Sequence, residues 1–237
     1  MTVPARTVKN EIGTDGSTLD VSVVIPALNA AHSLGAAIRS VGAVREVIVV
    51  DGGSQDGSGT AAEAAGARVL IAPRGRGTQI AAGIAASGPG WILILHADTR
   101  MGPGWRGAAR DHMKGDTTRA ASFRFALDSD DPAARRLESL VAWRCRILGL
   151  PYGDQGLLVH TNLLDAVGGV RPLPLMEDVD LIRRIGRSRL TMLAPAAITS
   201  AEKWRRDGWY RRSARNLCCL ALWFLWVPPR VIARVYR

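Results

Sequence analysis

Short apolar segments that alternate with helix-like segments constrain the fold of this chain most. Three of them, at residues 21–25, 46–50 and 91–95, are rich in valine, isoleucine and leucine, as buried parallel strands are. A further strand is expected at 68–71, and helices are expected from about residue 32, near 60 and near 79. Such alternation predicts an α/β fold with a mostly parallel central sheet and helices on both faces.

Three carboxylates stand at the ends of strands or at turns. Asp51 and Asp98 follow two of the apolar runs, and Asp178 lies in the string Met-Glu-Asp-Val-Asp-Leu. Ligands bind open α/β sheets where the parallel strands end at their carboxyl edge. These carboxylates are therefore candidates for chemistry.

Together with Val-Ile-Pro-Ala-Leu-Asn at 24–29, these motifs resemble family 2 glycosyltransferases of the GT-A fold over about residues 21–204. The resemblance implies an inverting, metal-dependent enzyme that moves a hexose from a UDP- or GDP-linked donor to an acceptor hydroxyl. It places Pro26 and Asn29 at the nucleotide sugar and has Asp51 accept a hydrogen bond from the nucleobase. A cap on the helix near 60, formed by Ser54 or Asp56, is the structural alternative.

Two motifs are expected to meet the donor diphosphate. Arg74 and Arg76 precede a helix predicted at 78–86, and guanidinium groups beside a helix N-terminus are typical of an anion site. His96-Ala-Asp98 stands where the family carries its D-x-D motif, so the resemblance implies Asp98 as ligand of Mn²⁺ or Mg²⁺. His96 is either a second ligand, which favours Mn²⁺, or a partner of a ribose hydroxyl, the interpretation preferred here. Alternation at a strand end predicts that both side chains share one face.

The Glu177-Asp178 pair opens a predicted helix. Acids in a first helical turn are favoured by the helix dipole, so capping is the structural alternative. The resemblance implies that Asp178 is the general base that takes the proton from the acceptor hydroxyl. Glu177 is assigned to orientation and Asp180 to the exposed helix surface.

Two further motifs are interpreted as acceptor sites. Asp154 and Gln155, in a turn, have groups that suit sugar or acceptor hydroxyls, and an Asx-stabilised turn is the alternative. The surrounding Tyr-Gly-Asp-Gln-Gly is similar to that of a bacterial subfamily named for arsenosugar biosynthesis from its gene context. Residues 200–204 resemble a degraded Q-x-x-R-W motif, in which Trp204 stacks on a sugar and Arg205 or Arg206 reaches the diphosphate.

The net charge of +10 belongs to the C-terminal part of the chain. Residues 183–237 contain 13 Lys or Arg against 2 acids, which leaves the first 182 residues at about −1. An apolar run at 217–227 separates the arginines, a pattern typical of a segment in the interface of an anionic membrane. Packing on the protein is the alternative, and nucleic acid is not expected as a partner. The residues expected at the lipid are Trp223, Phe224, Trp226, Arg211, Arg212, Arg215, Arg230 and Arg234.

We therefore predict a flexible leader (1–20), a nucleotide-sugar lobe (21–115), an acceptor-binding and catalytic lobe (116–205) and a basic amphipathic tail (206–237). Without a signal-like or 20-residue apolar segment, the expected location is cytoplasmic, at the inner face of the membrane. Assembly into a homo-oligomer stays open. The three cysteines lack metal-ligand spacing.

Other functions fit the residues less well. A dehydrogenase would carry G-x-G-x-x-G after the first strand, and a sugar-nucleotidyltransferase would carry a glycine-rich loop with arginine there; Pro26 begins a different string. A non-enzymatic nucleic-acid binder is disfavoured because the charge surrounds an apolar, tryptophan-bearing run. The acceptor is a small molecule or a lipid, and a polyprenyl phosphate, as in dolichyl-phosphate mannose synthases, is the main alternative.

Overall fold

The computed structural model describes residues 17–236. Most of the predicted leader lies outside the described residues, and its last two residues belong to the first strand. The strands are Leu19–Ala27 (β1), Val44–Asp51 (β2), Arg68–Ile71 (β3), Trp91–Ile94 (β4), Thr99–Met101 (β5), Ala120–Leu127 (β6), Leu157–His160 (β7) and Leu190–Thr199 (β8). The α-helices are Ala31–Val41 (α1), Ser58–Ala64 (α2), Arg76–Ser87 (α3), Trp105–Met113 (α4), Pro132–Leu148 (α5), Thr161–Ala166 (α6), Glu177–Ile185 (α7), Glu202–Asp207 (α8), Trp209–Phe224 (α9) and Pro229–Tyr236 (α10).

All eight strands form one sheet in the order β3-β2-β1-β4-β7-β6-β8-β5. The first four in this order pair in parallel. Strand β7 runs antiparallel to both of its neighbours, β6 and β8 are parallel, and β5 is antiparallel to β8. The predicted α/β fold is confirmed, and the sheet continues across the lobe boundary expected at residue 115.

Alternation along the strands divides the core between the two faces of the sheet. In β1, Val23 and Ile25 belong to a cluster that also holds residues of α1, α2 and α4. Val24 points to the other face and joins residues of α3, α6 and α7. Helices therefore cover both faces, as the sequence predicts, and the carboxyl ends of the parallel strands stay accessible at one edge.

The C-terminal helices α9 and α10 form a hairpin that packs on α8 and on the loop before α7. Cys219 and Ile232 are fully buried and form a small core with Leu175. Arg212 and Arg215 both pair with Asp207, at 2.7 and 3.2 Å. The expectation that these two arginines face lipid is therefore corrected, because they are held inside the hairpin. Trp223 is likewise partly buried against that core.

No helix within residues 17–236 combines the length and apolar character needed to cross a membrane.

Candidate active site

Two neighbouring cavities open at the carboxyl edge of the parallel strands. The larger has a volume of about 360 Å³ and lies beside the β1–α1 loop and the start of α3. The smaller, of about 150 Å³, lies between the turn before β7, the start of α7 and the C-terminal hairpin. Four residues line both cavities: Arg76, His96, Asp98 and Lys203. The predicted residues Pro26, Asn29 and Arg74 line only the larger cavity, and Asp154, Asp178 and Trp204 line only the smaller.

Asp51 lies at the end of β2 but does not line either cavity. It is 6% exposed, and its Oδ1 accepts hydrogen bonds from the backbone N–H and the hydroxyl of Ser54, at 3.0 and 2.5 Å. The carboxylate thus fixes the turn that follows β2. Its interaction with a nucleobase stays a prediction.

Arg76 is the first residue of α3, two positions before the predicted helix start. Its Nε lies 2.6 Å from Oε1 of Glu177, which is 1% exposed, and its guanidinium lies 3.4 Å from Nε2 of His96. Although burial disfavours its charge, Glu177 and Asp178 raise the pKa of Arg76 above its usual value. A Cβ on Gly77 would lie 2.3 Å from the carbonyl oxygen of Arg171. Only glycine therefore lets the start of α3 approach that loop, and Arg76 is held there as a partly buried cation.

His96 and Asp98 lie in the turn after β4, because that strand ends at Ile94. Both side chains still line the two cavities. They therefore share one side of the chain as predicted, although the residues lie beyond the end of the strand. Burial, together with the charge of Arg76, lowers the pKa of His96 to about 4. The imidazole is therefore neutral near pH 7 and has a lone pair for a ligand.

Asp98 forms an ion pair across the junction of the cavities. Its Oδ2 accepts a hydrogen bond from Nζ of Lys203 at 2.7 Å. Burial opposes ionisation of Asp98, but the charge and the hydrogen bond of Lys203 outweigh it and hold the pKa of Asp98 below its usual value. No cluster of three His, Cys, Asp or Glu side chains within residues 17–236 can enclose a metal ion. The neutral His96 and the ionised Asp98 are thus two potential metal ligands, too few to enclose an ion. This number fits a metal ion that is bound chiefly by diphosphate oxygens.

Asp178 is oriented by two backbone N–H groups. Its Oδ2 accepts from Gly153 at 2.9 Å and its Oδ1 from Val179 at 2.8 Å. Burial alone would raise the pKa of Asp178, but Arg76 and these hydrogen bonds lower it overall. The carboxylate is therefore ionised and fixed at the wall of the smaller cavity, as a base requires.

The two predicted acceptor residues of the turn before β7 differ in their surroundings. Asp154 lines the smaller cavity, and burial raises its pKa to about 6. Gln155 is 1% exposed; its amide nitrogen donates to the carbonyl of Phe123 at 3.0 Å, and its oxygen accepts from Arg144 at 3.3 Å. The acceptor assignment of Gln155 is thus corrected, because its hydrogen bonds hold the turn against β6.

Three charged residues also differ from expectation. Asp180 is 7% exposed and paired with Arg184 at 2.7 Å, so it does not belong to the helix surface. Arg205 and Arg206 pair with acids outside the cavities, at 3.4 and 2.8 Å, and do not reach the predicted diphosphate position. Lys203, which sequence reasoning did not assign, lines both cavities instead. The feature that could have identified Lys203 in the sequence is its position as the basic residue directly before Trp204 in the degraded motif.

The fold and this site define a class of protein. Among solved structures, the chain is similar to glucosyl-3-phosphoglycerate synthase from Mycobacterium tuberculosis in complex with Mn²⁺, UDP and glucosyl-3-phosphoglycerate, with a TM-score of 0.55 and 22% identity over 75% of this chain and 70% of that one. It is also similar to mannosyl-3-phosphoglycerate synthase from Rubrobacter xylanophilus, with a TM-score of 0.54 and 17% identity over 80% and 75% of the two chains. The fold is thus that of GT-A glycosyltransferases.

Sequence comparison gives the family. Residues 22–173 match the model of glycosyl transferase family 2, and the chain belongs to that family. Uncharacterized glycosyltransferases of Mycobacterium bovis and Mycobacterium tuberculosis are each 36% identical over 85 residues, 35% of this chain and 39% of theirs. The match therefore spans about two fifths of the length of these curated relatives.

Proposed function

We propose that this protein transfers a hexose from a UDP- or GDP-linked donor to an acceptor hydroxyl with inversion at the anomeric carbon. The observation that carries the proposal is the shared wall of the two cavities. A nucleotide sugar in the larger cavity would place its diphosphate at Arg76 and Lys203, and an acceptor in the smaller cavity would lie beside Asp178. The UDP bound to the similar glucosyl-3-phosphoglycerate synthase supports this class of donor.

The residues supply the acid–base and electrostatic parts of such a transfer. The acceptor oxygen forms a bond to C1 of the sugar while the bond from C1 to the diphosphate oxygen breaks, and its electron pair leaves with the diphosphate. Asp178 takes the proton of the acceptor hydroxyl. Arg76 and Lys203 stabilise the charge of the leaving diphosphate, and Glu177 orients Arg76 through the 2.6 Å ion pair.

A divalent metal ion is part of this proposal. Asp98 and the neutral His96 would hold Mn²⁺ or Mg²⁺ together with the donor diphosphate, and the ion would supply further neutralisation of the leaving group. Similar solved structures contain UDP with Mn²⁺ or with Mg²⁺. Lys203 pairs with Oδ2 of Asp98, so the ion would bind Asp98 through Oδ1 or displace Lys203.

Calorimetry with Asp98→Ala tests the donor site. We expect the wild type to bind UDP or GDP more tightly with Mn²⁺ than with EDTA, and the variant to bind equally weakly in both. Asp165→Asn, which changes an exposed carboxylate on α6, is the matched control and should retain the Mn²⁺ effect. Equal affinity of the wild type with Mn²⁺ and with EDTA would contradict the metal assignment.

A polyprenyl phosphate is the second candidate acceptor, favoured because the hairpin of α9 and α10, which lines the smaller cavity, also carries exposed apolar side chains. A phosphate oxygen is already negatively charged and needs no base to remove a proton, so transfer to it should depend little on Asp178.

Membership of the arsenosugar-biosynthesis subfamily rests on the Tyr-Gly-Asp-Gln-Gly string at 152–156 and stays a prediction.

We also propose that the protein binds peripherally to the cytoplasmic face of an anionic membrane. The supporting surface is wider than the predicted tail, because α5 exposes an apolar face at i, i+3 and i+7 spacing. Leu148 of α5 and Phe224 of α9 line one shallow depression with Arg183 and Arg187, so the apolar faces adjoin and basic residues flank them. The exposed apolar residues of this surface are Leu140, Trp143, Ile147, Leu148, Leu217, Phe224, Leu225, Trp226, Val231 and Val235.

Vesicle co-sedimentation tests this surface. We expect pelleting with phosphatidylglycerol vesicles and not with phosphatidylcholine vesicles, weakened by salt because each basic residue near the surface contributes about 1 kcal/mol. Trp226→Asp, at a side chain that is 84% exposed, should reduce pelleting, and Ile71→Asp, 76% exposed on edge strand β3, should not. Equal recovery in the supernatant with both vesicle types would contradict the membrane proposal.

A further inference from the structure

The residues that line the smaller cavity carry an unusual set of buried polar atoms. Five of them make no hydrogen bond to any residue in the described range 17–236. They are Oη of Tyr152, Oδ1 of Asp154, Nε1 of Trp204, Nε of Arg212 and Oδ1 of Asn216, and all five residues line this one cavity. Because buried polar atoms are normally paired, their convergence indicates a binding site for a polar molecule.

One wall of this site comes from the C-terminal hairpin. Arg212 and Asn216 lie four residues apart, on the same face of α9. Arg212 is 7% exposed; its Nη1 donates to Asp207 at 2.7 Å and its Nη2 to the hydroxyl of Tyr236 at 3.4 Å. Its guanidinium also lies 5.1 Å from the ring of Trp204. The helix is therefore docked so that these two side chains reach the cavity that holds Asp178.

The five atoms differ in their hydrogen-bonding character. Trp204 and Arg212 offer N–H donors, Asp154 and Asn216 offer acceptor oxygens, and the Tyr152 hydroxyl can do both. An anionic group would use only the donors, and the cavity offers it no excess of positive charge, because the three cations that line it (Arg76, Lys203, Arg212) are balanced by three carboxylates (Asp98, Asp154, Asp178). Neighbouring hydroxyl groups both donate and accept, so they can satisfy the whole set. A volume of about 150 Å³ suits one sugar ring or a small polyol better than an oligosaccharide.

We propose that Arg212 and Asn216 of α9 are acceptor-binding residues and that the acceptor is a small neutral polyhydroxylated molecule. This inference rests on the proposed function. One acceptor hydroxyl would lose its proton to Asp178 as its oxygen forms the bond to C1, while the remaining hydroxyls pair with the five buried atoms. The C-terminal hairpin is then part of the active site as well as a candidate lipid-binding surface.

Transfer assays with the full chain test this inference. The donors are UDP-glucose and GDP-mannose, and the acceptor probes are glycerol, methyl α-D-glucopyranoside, 3-phosphoglycerate and farnesyl phosphate. Nucleotide release without any probe reports transfer to water, which does not need the acceptor site. We expect transfer to a neutral probe, and Asn216→Ala should raise its KM about tenfold, the loss of roughly one hydrogen bond. Transfer to water and calorimetric donor affinity should stay within twofold.

Ala214→Ser, at an exposed position of α9, is the matched control and should leave the KM unchanged. Transfer only to the two anionic probes, transfer to none of the four while the donor is hydrolysed, or an unchanged KM in Asn216→Ala would each overturn the inference and leave the proposed function standing. Failure to bind or turn over either donor would overturn both.

Discussion

Asp154 and Asp178 line the same small cavity, yet their pKa values are shifted in opposite directions. Burial raises the pKa of Asp154 to about 6, whereas Arg76 and two backbone N–H groups outweigh burial at Asp178 and lower its pKa. Environments that separate two carboxylates in this way are typical of acid–base sites. Asp178 is thus ionised at neutral pH, the state from which a carboxylate can accept a proton, and Asp154 binds a proton as the pH falls through about 6.

The raised pKa of Asp154 predicts a pH-dependent stability. A carboxyl whose pKa is higher in the folded state stabilises the fold fully below its unfolded pKa, and this contribution is lost as pH rises through about 6. Asp154→Asn, which stays neutral, should therefore raise the free energy of unfolding at pH 7.5 by about 1 to 3 kcal/mol and change it little near pH 4. Chemical denaturation at both pH values measures this.

Asp165→Asn on α6 serves as the control for loss of a carboxylate, because its side chain is exposed. An Asp154→Asn variant that is no more stable than the wild type at pH 7.5 would show that the Asp154 carboxylate is solvated.

The sequence could predict the site residues that follow strands or open helices. Arg76, Asp98 and Asp178 occupy the cavities because the fold brings those positions to one edge. Gln155 and Lys203 could not be assigned correctly from the sequence. Whether a side chain faces the cavity or its own loop depends on partners that are distant in the chain, here Arg144 and Asp98.

Among the elements, the 3₁₀ turn Gly153–Gln155 connects the base to the sheet. The N–H of Gly153 donates to Asp178 at 2.9 Å. A Cβ at this position would lie 2.3 Å from Nε2 of His96 and 3.3 Å from Oδ2 of Asp178. The turn therefore packs directly against both side chains, and glycine leaves the room that they need.

Gly153→Ala should displace the His96 ring and disturb the hydrogen bond to Asp178. We expect turnover to fall by about tenfold to a hundredfold, equivalent to roughly 1 to 3 kcal/mol of transition-state stabilisation. Gly107→Ala in α4, where a Cβ meets no heavy atom within 4 Å, is the matched control and should retain wild-type turnover. Steady-state kinetics measures the turnover of both variants. Equal turnover in Gly153→Ala and Gly107→Ala would contradict this role of the turn.

Strands could be predicted from the sequence where apolar residues form clear runs, and were missed where the strand is irregular. Strand β3 has the predicted bounds, and the predicted bounds of β1, β2 and β4 are correct to within two residues. Strand β8 was not predicted, since it contains Pro195, which cannot donate to a ladder. The pairing of β6 with β8 shifts from Leu193 to Ala196, so Pro195 lies within a bulge.

At the scale of the whole molecule, the excess of basic residues in the C-terminal part of the chain falls into two groups with different surroundings. Some arginines of the C-terminal third, such as Arg212, are buried beside the smaller cavity. Others, including Arg183 and Arg187, flank the exposed apolar surface of α5 and the hairpin. Composition alone could not distinguish these roles, because packing of the hairpin on Leu175 decides which face of α9 is covered.

The base role of Asp178 is the central claim, and it is tested most directly by donor turnover in the wild type and in Asp178→Asn. Nucleotide release from UDP-glucose and GDP-mannose is measured beside calorimetric donor affinity, with water as the hydroxyl acceptor. The predicted result is donor affinity within a few-fold of wild type and a loss of about 10² to 10⁴ in turnover, the contribution of a general base. Near wild-type turnover in the variant would contradict the account.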